Sequence, residues 1–303
     1  MLQAAEMYFL GDDSRAAIGE LLGISRFRVA RLLKEARESG LVNITLMRPD
    51  GLDPDRANKL KSLWGLDRAI VVPWLPEDDL VQVLAEAAAS YLIEHVEQSD
   101  ILGLPSGRTV SRVSRLIKTL PECTIVQIAG VAAAASLWES PTETTRRFTQ
   151  LTTGRSYPIF APIVLSSLQA AASLRREPGI EEAYALFPKL TKAMVAIAPW
   201  RSGQSMIHDS VSEKDQKFVS SFNPAAEVLA NILDADGNEI ALEFSERALT
   251  IPLKLLKKVP DVIAVAGGES KHDAVLAAIR ANFINTLVTD SRTAQFIIDA
   301  AKP

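Results

Sequence analysis

The sequence predicts an α/β protein: a small winged helix-turn-helix domain over residues 1–50, then a larger doubly wound parallel-sheet domain over residues 53–303. Two observations predict it. Between Ser14 and Arg37 two short apolar helix faces are separated by one glycine. From Asp53 onward, short apolar strands alternate with amphipathic helical stretches.

The composition admits that division. At 303 residues the chain has room for one small and one larger domain. Its 48% hydrophobic and 23% charged residues, without a low-complexity tract, are those of a globular protein. A net charge of -4 excludes a chain that coats nucleic acid with its whole surface, yet leaves room for one basic face. Cys123 is the only cysteine, which excludes an intramolecular disulfide and a cysteine-based zinc site and fits a reducing cytoplasm. No stretch approaches the roughly 18 apolar residues of a membrane span. The opening MLQAAEMYFLGDDS lacks the basic start of a signal peptide, so a cytoplasmic protein with no membrane partner is expected.

In the N-terminal segment SRAAIGELLGISRFRVARLLKEAR, Ile18, Leu21 and Leu22 form a short helix face that ends at Gly23, a residue suited to a positive-φ turn. Ser25 then caps a second helix with the stripe Val29, Leu32, Leu33 and Ala36. Small Gly19 lies four residues before the turn glycine and compact Val29 six after it, the pattern of two closely crossing helices. Ala at position 19 would be the better helix former by about 1 kcal/mol.

Charge distinguishes the two helices. Residues 25–37 carry Arg26, Arg28, Arg31, Lys34 and Arg37 against Glu35 alone. At about 100° per residue, Phe27, Arg28, Arg31, Lys34 and Glu35 lie opposite the apolar stripe, with Ser25 and Arg26 at the N-terminal end. Such a helix suits the major groove, its arginines reading guanine edges and its N-terminus meeting phosphate. Ser25, Arg26, Phe27, Arg28, Arg31 and Lys34 are therefore the expected DNA contacts. The plainer alternative is a solvated face of an ordinary bundle. The run GLVNITL at 40–46 alternates like a strand and would supply the wing. The Arg48-Pro49-Asp50-Gly51 turn would end the domain.

In the larger part, strands are expected at Arg68–Val72, Asp100–Leu104, Cys123–Ile128, Ala193–Ala198, Asp261–Ala266 and Asn285–Val288. Helices are expected at Glu77–Glu97, Arg108–Leu120, Lys271–Ala281 and Ser291–Ala300. A parallel sheet built this way binds ligands at the carboxyl ends of its strands. Pro105-Ser106-Gly107-Arg108-Thr109 follows one strand and opens a helix, with an Arg and hydroxyls suited to phosphate. Gly267-Gly268-Glu269-Ser270-Lys271 repeats the arrangement, and Ala129-Gly130-Val131 lets a ligand approach the backbone. Each is equally a plain strand-to-helix turn when taken alone, and Thr289-Asp290 reads as a helix cap. The Gly103–Gly107 loop is not a Walker A loop, and no G-x-G-x-x-G follows an early strand, which ranks a nucleotide sensor last.

Taken together, LLGISRFRVARLLKEARESGLVNI, GLPSGRTV, VQIAG, YPIFAPIVL, the Asp234–Gly237 run DADG, AVAGGESKHDAVLAAI and LVTDSRTA resemble the SorC family of sugar-responsive bacterial transcription regulators over nearly the whole chain. The resemblance implies an effector domain similar to sugar-phosphate isomerases and deaminases, used for sensing. It further implies a phosphorylated sugar or polyol as effector, operator DNA as partner, and a homodimer or homotetramer. On this sequence it implies that Gly107, Arg108 and Thr109 hold part of the ligand, that Gly130 lines the pocket, and that Lys271 after Gly267 and Gly268 meets the phosphate. Three positions depart from the family pattern. Ala198-Pro199-Trp200 stands where Gly-Ile-Gly is common and would narrow that loop. Asn223-Pro224-Ala225-Ala226-Glu227 puts Glu227 where an Asp would face the ligand. Ser106 stands where an aromatic is common.

The alternative is a sugar-phosphate isomerase or deaminase, which needs a positioned acid and base. His95, His208 and His272 each lack an evident partner in the sequence, and Glu227 and Asp290 serve equally well as hydroxyl binders. A DNA-binding module has no use in such an enzyme. The expectation is a regulator with no catalytic residue, no metal and no cofactor.

Overall fold

A computed structural model describes all residues except 10, 12, 39–40, 43–50, 133–140 and 302–303, and the side chains of 37–38, 77–78 and 141–142 are also left out. The chain divides into two compact units, Met1–Gly51 and Leu52–Pro303.

The first unit packs three helices, α1 (Leu2–Phe9), α2 (Arg15–Leu22) and α3 (Arg26–Glu38), around Ala4, Ala5, Ile18, Val29, Leu33 and Ala36. Ser14 caps α2 by accepting from the Ala17 amide, and Gly23 ends it in the left-handed region at φ 67°. Ser25 Oγ accepts from the Arg28 amide at 3.3 Å and starts α3. Leu21, expected on the buried face, is instead 71% exposed, and Leu32 is only half-buried. Close packing falls on Ile18 and Gly19, where α2 crosses the turn. A Cβ on Gly19 would stand 2.7 Å from the Ile24 carbonyl oxygen. Glycine at this position is therefore a packing requirement, and helix propensity does not decide it. The expected wing strand and the turn after it lie, apart from Leu41, Val42 and Gly51, outside the described residues.

The second unit begins with α4 (Pro54–Trp64), capped by Asp53. It is built on seven parallel strands: β1 (Arg68–Val72), β2 (Ile101–Leu104), β3 (Thr124–Gln127), β4 (Ser156–Tyr157), β5 (Lys192–Ala196), β9 (Asp261–Val265) and β10 (Thr286–Asp290). Their order across the sheet is β1-β10-β9-β5-β2-β3-β4. A separate antiparallel sheet consists of β6 (Ala226–Val228), β7 (Asn231–Leu233) and β8 (Glu239–Ile240). All six expected strands are present. The sequence pattern did not disclose β4 or the small sheet, whose members are two or three residues long, too short for an alternation to register.

Side chains alternate between two cores, one on each sheet face. Val72, Leu102, Ile125, Met194, Ile263 and Val288 face α5 (Glu77–His95) and α6 (Arg108–Leu116). Their neighbours Val71, Val126, Val195, Ala264 and Leu287 face the other core, with α4 and the helices His272–Arg280 and Ser291–Ala300. Burial on both faces explains why these strands read as continuous apolar runs. Among the described residues no helix is long and apolar enough to cross a membrane.

The strand order positions the site. From β2 the chain winds outward to β3 and β4; it then returns to β5 on the other side of β2 and winds the opposite way through β9 and β10. The reversal lies between β2 and β5, and a crevice opens there at the carboxyl ends.

Candidate functional site

A cavity of ≈ 200 Å³ occupies that crevice. Four adjacent strands, β9, β5, β2 and β3, deliver its wall from the segments that follow them. Gly107, Arg108, Thr109, Gly130, Glu227, Gly267 and Lys271 all line it. Gly268, the remaining effector residue expected from the sequence, does not.

After β2 the chain runs through Pro105 and Ser106 into α6, whose N-cap is Gly107. No side chain caps this helix, so among the described residues its first-turn amides lack an intrahelical or side-chain acceptor. Arg108 is exposed, Thr109 half-buried, and both belong to the first turn. After β3, Gly130 passes so close to the next segment that a Cβ would lie 2.6 Å from the Ala161 carbonyl oxygen. Its glycine thus serves a backbone crossing as well as the cavity wall. The amides of Gly130 and Val131 donate to Leu249 and Ala161, which pins this wall.

After β9, Gly268 adopts φ 98°, a left-handed backbone that favours glycine. Its amide donates to Asp290 Oδ2 at 2.7 Å and to Thr293 Oγ1 at 3.2 Å. Asp290 is fully buried and also accepts from the amides of Arg292 and Thr293. It therefore caps the last helix and holds the glycine loop, as a cap and not as a wall residue. The loop ends in a short turn, Glu269–Lys271, which brings half-buried Lys271 to the cavity.

Glu227 arrives by a different route. β6 bridges to the chain just beyond β5: Ala198 N donates to Glu227 O and Glu227 N to Ala198 O, at 3.1 and 2.7 Å. The carboxylate is buried; it accepts from Ser205 Oγ at 3.0 Å and from the Ala230 amide at 2.8 Å. Burial pushes its pKa up to about 6, opposed by those two hydrogen bonds and the Lys271 charge. Trp200, expected to narrow this loop, is buried edge-on against His208 and Phe244 and is not among the lining residues.

The structure also brings in residues that the sequence pattern did not single out. Arg112 lies one helical turn beyond Arg108 on α6, and Gln204 precedes Ser205. The i, i+4 spacing of the two arginines was a usable signal. Gln204 lies in an irregular stretch and gave none. Its buried Oε1 has no hydrogen-bond partner among the described residues. The remaining polar wall is made by Ser106 and Ser270. No histidine lines the cavity: His95 stacks on Tyr91, His272 on Phe296, and His208 pairs with Asp209.

In the first unit the residues expected at DNA are on the surface. Ser25, Arg26, Phe27, Arg28, Arg31 and Lys34 are all exposed, while Val29, Leu33 and Ala36 face the core. Phe27 is 74% exposed beside the Arg26 guanidinium, and Arg31 pairs with Glu35 at 3.6 Å.

Comparison with known proteins agrees with this architecture. Residues 52–299 match the Sugar-bind family model, described as "Putative sugar-binding domain". The chain is 26% identical to an uncharacterized transcriptional regulator, YjhU, of Escherichia coli (strain K12), over 100% of this chain and 95% of that one. It is also 26% identical to the deoxyribonucleoside regulator of Bacillus subtilis (strain 168), covering 98% and 96% of the two chains. The full-length sorbitol operon regulator SorC from Klebsiella pneumoniae superposes with a TM-score of 0.74 at 23% identity, over 98% of this chain and 97% of that one. With a sugar-binding family model spanning the whole sheet domain and regulators matched end to end, the chain belongs to the SorC family of sugar-binding transcriptional regulators.

Proposed function

We propose that this regulator controls a carbohydrate or polyol catabolic operon and responds to a phosphorylated sugar or polyol bound in the crevice between β2 and β5. The observation that carries this reading is the convergence of Arg108, Thr109, Lys271 and Glu227 on one cavity. Cations and helix-start amides suit a phosphate. A carboxylate and an amide suit hydroxyl groups. The names of the sorbitol operon regulator and the deoxyribonucleoside regulator support a sugar- or polyol-related signal. Residues 1–50 form the DNA-binding domain, and Ser25, Arg26, Phe27, Arg28, Arg31 and Lys34 meet operator DNA. Residues 53–303 bind the effector and assemble the cytoplasmic protein as a homodimer or homotetramer. Effector binding changes how the large domains pack, and hence the spacing of paired reading helices. Spacing decides affinity because paired half-sites lie about 34–36 Å apart, or a multiple of that.

An enzyme of the same fold would use Glu227, whose pKa is placed near neutrality. Both its oxygens are already held by Ser205 and Ala230, and among the described residues no second carboxylate and no histidine line the cavity. Sensing without turnover is therefore the function assigned here.

A thermal-shift screen of the purified chain tests the assignment, with each sugar or polyol offered with and without its phosphate. A ligand at about 100 times its Kd adds about 2.7 kcal/mol. Stabilisation by phosphorylated members alone is expected. Stabilisation by the free polyol alone, or turnover of any phosphorylated member, contradicts it.

A further inference from the structure

Arg112 is half-buried in the cavity wall, and among the described residues it has neither an ion-pair nor a hydrogen-bond partner. A guanidinium always carries its charge, and removing it from water without a counter-charge is unfavourable. Nothing among the described residues compensates for this placement, so the group is poised for something that enters the cavity.

The surroundings specify what enters. Arg108 and Arg112 stand four residues apart on one face of α6, where side-chain roots are about 5–6 Å apart. Two guanidinium forks at that spacing can share the oxygens of one phosphate. The helix they stand on opens at the cavity with an uncapped first turn, whose amides favour the same charge. Among the described residues the only carboxylate in the wall is Glu227, delivered by β6 beside the end of β5. The Lys271 charge acts on that carboxylate, so part of the lysine's field is already answered within the protein. Lys271 follows β9 and the arginines follow β2, with β5 between them. The uncompensated positive flank of the cavity is therefore the α6 flank.

We infer that Arg112 is a second effector-contacting arginine, forming with Arg108 and the first turn of α6 a two-arginine seat for the effector's phosphate, with the hydroxyl chain directed toward Gln204 and Glu227. The inference rests on the proposed phosphorylated effector and deepens it: Arg112 makes the site selective for a doubly charged tetrahedral anion over an uncharged hydroxyl group.

The test uses the full chain and inorganic phosphate as the probe, titrated by calorimetry at constant ionic strength, on the wild type, Arg112→Gln, Arg112→Lys and Lys271→Gln. Arg112→Gln should raise the phosphate Kd by about tenfold or more, and Arg112→Lys, a point charge without the fork, by an intermediate factor. Lys271→Gln should have the smaller effect. Without ligand, Arg112→Gln should melt at or above the wild-type temperature, because a guanidinium without a partner is removed. A structural arginine would instead lower that melting point and leave the phosphate Kd alone, which would overturn the inference. So would wild-type phosphate affinity in Arg112→Gln. If the wild type binds no phosphate while a free polyol stabilises it, the phosphorylated effector falls as well. If phosphate binds and only the Arg112 variants are indifferent, the two-arginine seat alone falls.

Discussion

The Glu227 carboxylate and the Ser205 hydroxyl meet at 3.0 Å inside the protein, where the small antiparallel sheet hooks onto the end of β5. This contact fixes a carboxylate in the cavity wall while burial raises its pKa to about 6, above the ordinary 4.5. A raised carboxyl pKa means that the folded state holds the proton more tightly than the unfolded chain. Its contribution is fully present below about pH 4.5 and is lost as pH rises through about 6, a loss of about 2 kcal/mol. Urea denaturation across that window should show the decline in the wild type and a flatter profile in Glu227→Gln. Parallel profiles would mean that Glu227 is not the titrating group.

Gly19 carries a prediction that opposes helix propensity. Alanine there is intrinsically better by about 1 kcal/mol, but its Cβ would press on the Ile24 carbonyl oxygen at 2.7 Å. Moving a backbone atom outweighs the propensity gain, since overpacking costs about 1–3 kcal/mol. Gly19→Ala should lower the stability of the first unit and weaken DNA binding, while effector affinity is unchanged. Calorimetric melting of the variant checks this.

Arg28→Ala and Lys271→Ala should separate the two functions. Arg28 is exposed on α3, and its removal should weaken operator binding and reduce the salt-dependence slope by about one. Lys271→Ala should weaken effector binding and leave DNA affinity in the absence of effector intact. Fluorescence anisotropy at several salt concentrations, paired with calorimetry, reads both. Equal losses of both activities in either variant would contradict the separation.

Asp290 supports the cavity from outside it. Asp290→Ala strands the buried Thr293 amide, a loss of about 1–3 kcal/mol, and leaves the half-buried Gly268 amide only the Thr293 hydroxyl as acceptor. It should lower stability and also weaken effector binding, because the left-handed Gly268 loses its tether and the Lys271 turn follows it. A variant destabilised with undiminished effector affinity would show that the tether serves folding alone.

The legible parts of this molecule are those with a long repeat or a strong local signal. The two-sided sheet was readable because β1, β9 and β10 are largely apolar runs, ended by Pro73, by Gly267 and by the cap Asp290. Arg108, Gly130 and Lys271 were readable because each stands where a strand gives way to a loop or helix. Glu227 was reached through the family pattern, yet the bridge to Ala198 that puts it in the cavity was not visible, because β6 is three residues long. Gln204 and Arg112 depend on how distant segments pack. Leu21 was misjudged because in a two-turn helix a single crossing glycine decides which face is buried.

The central claim is that one chain couples a sugar-phosphate cavity to DNA. Its most direct test selects the operator from random duplexes with the full protein, then measures affinity for that operator with and without the phosphorylated ligand that stabilises the protein. The account predicts a change of about tenfold in operator affinity at saturating ligand, reached by Lys271→Ala only at higher ligand concentration. Operator affinity indifferent to a ligand that demonstrably binds would contradict it.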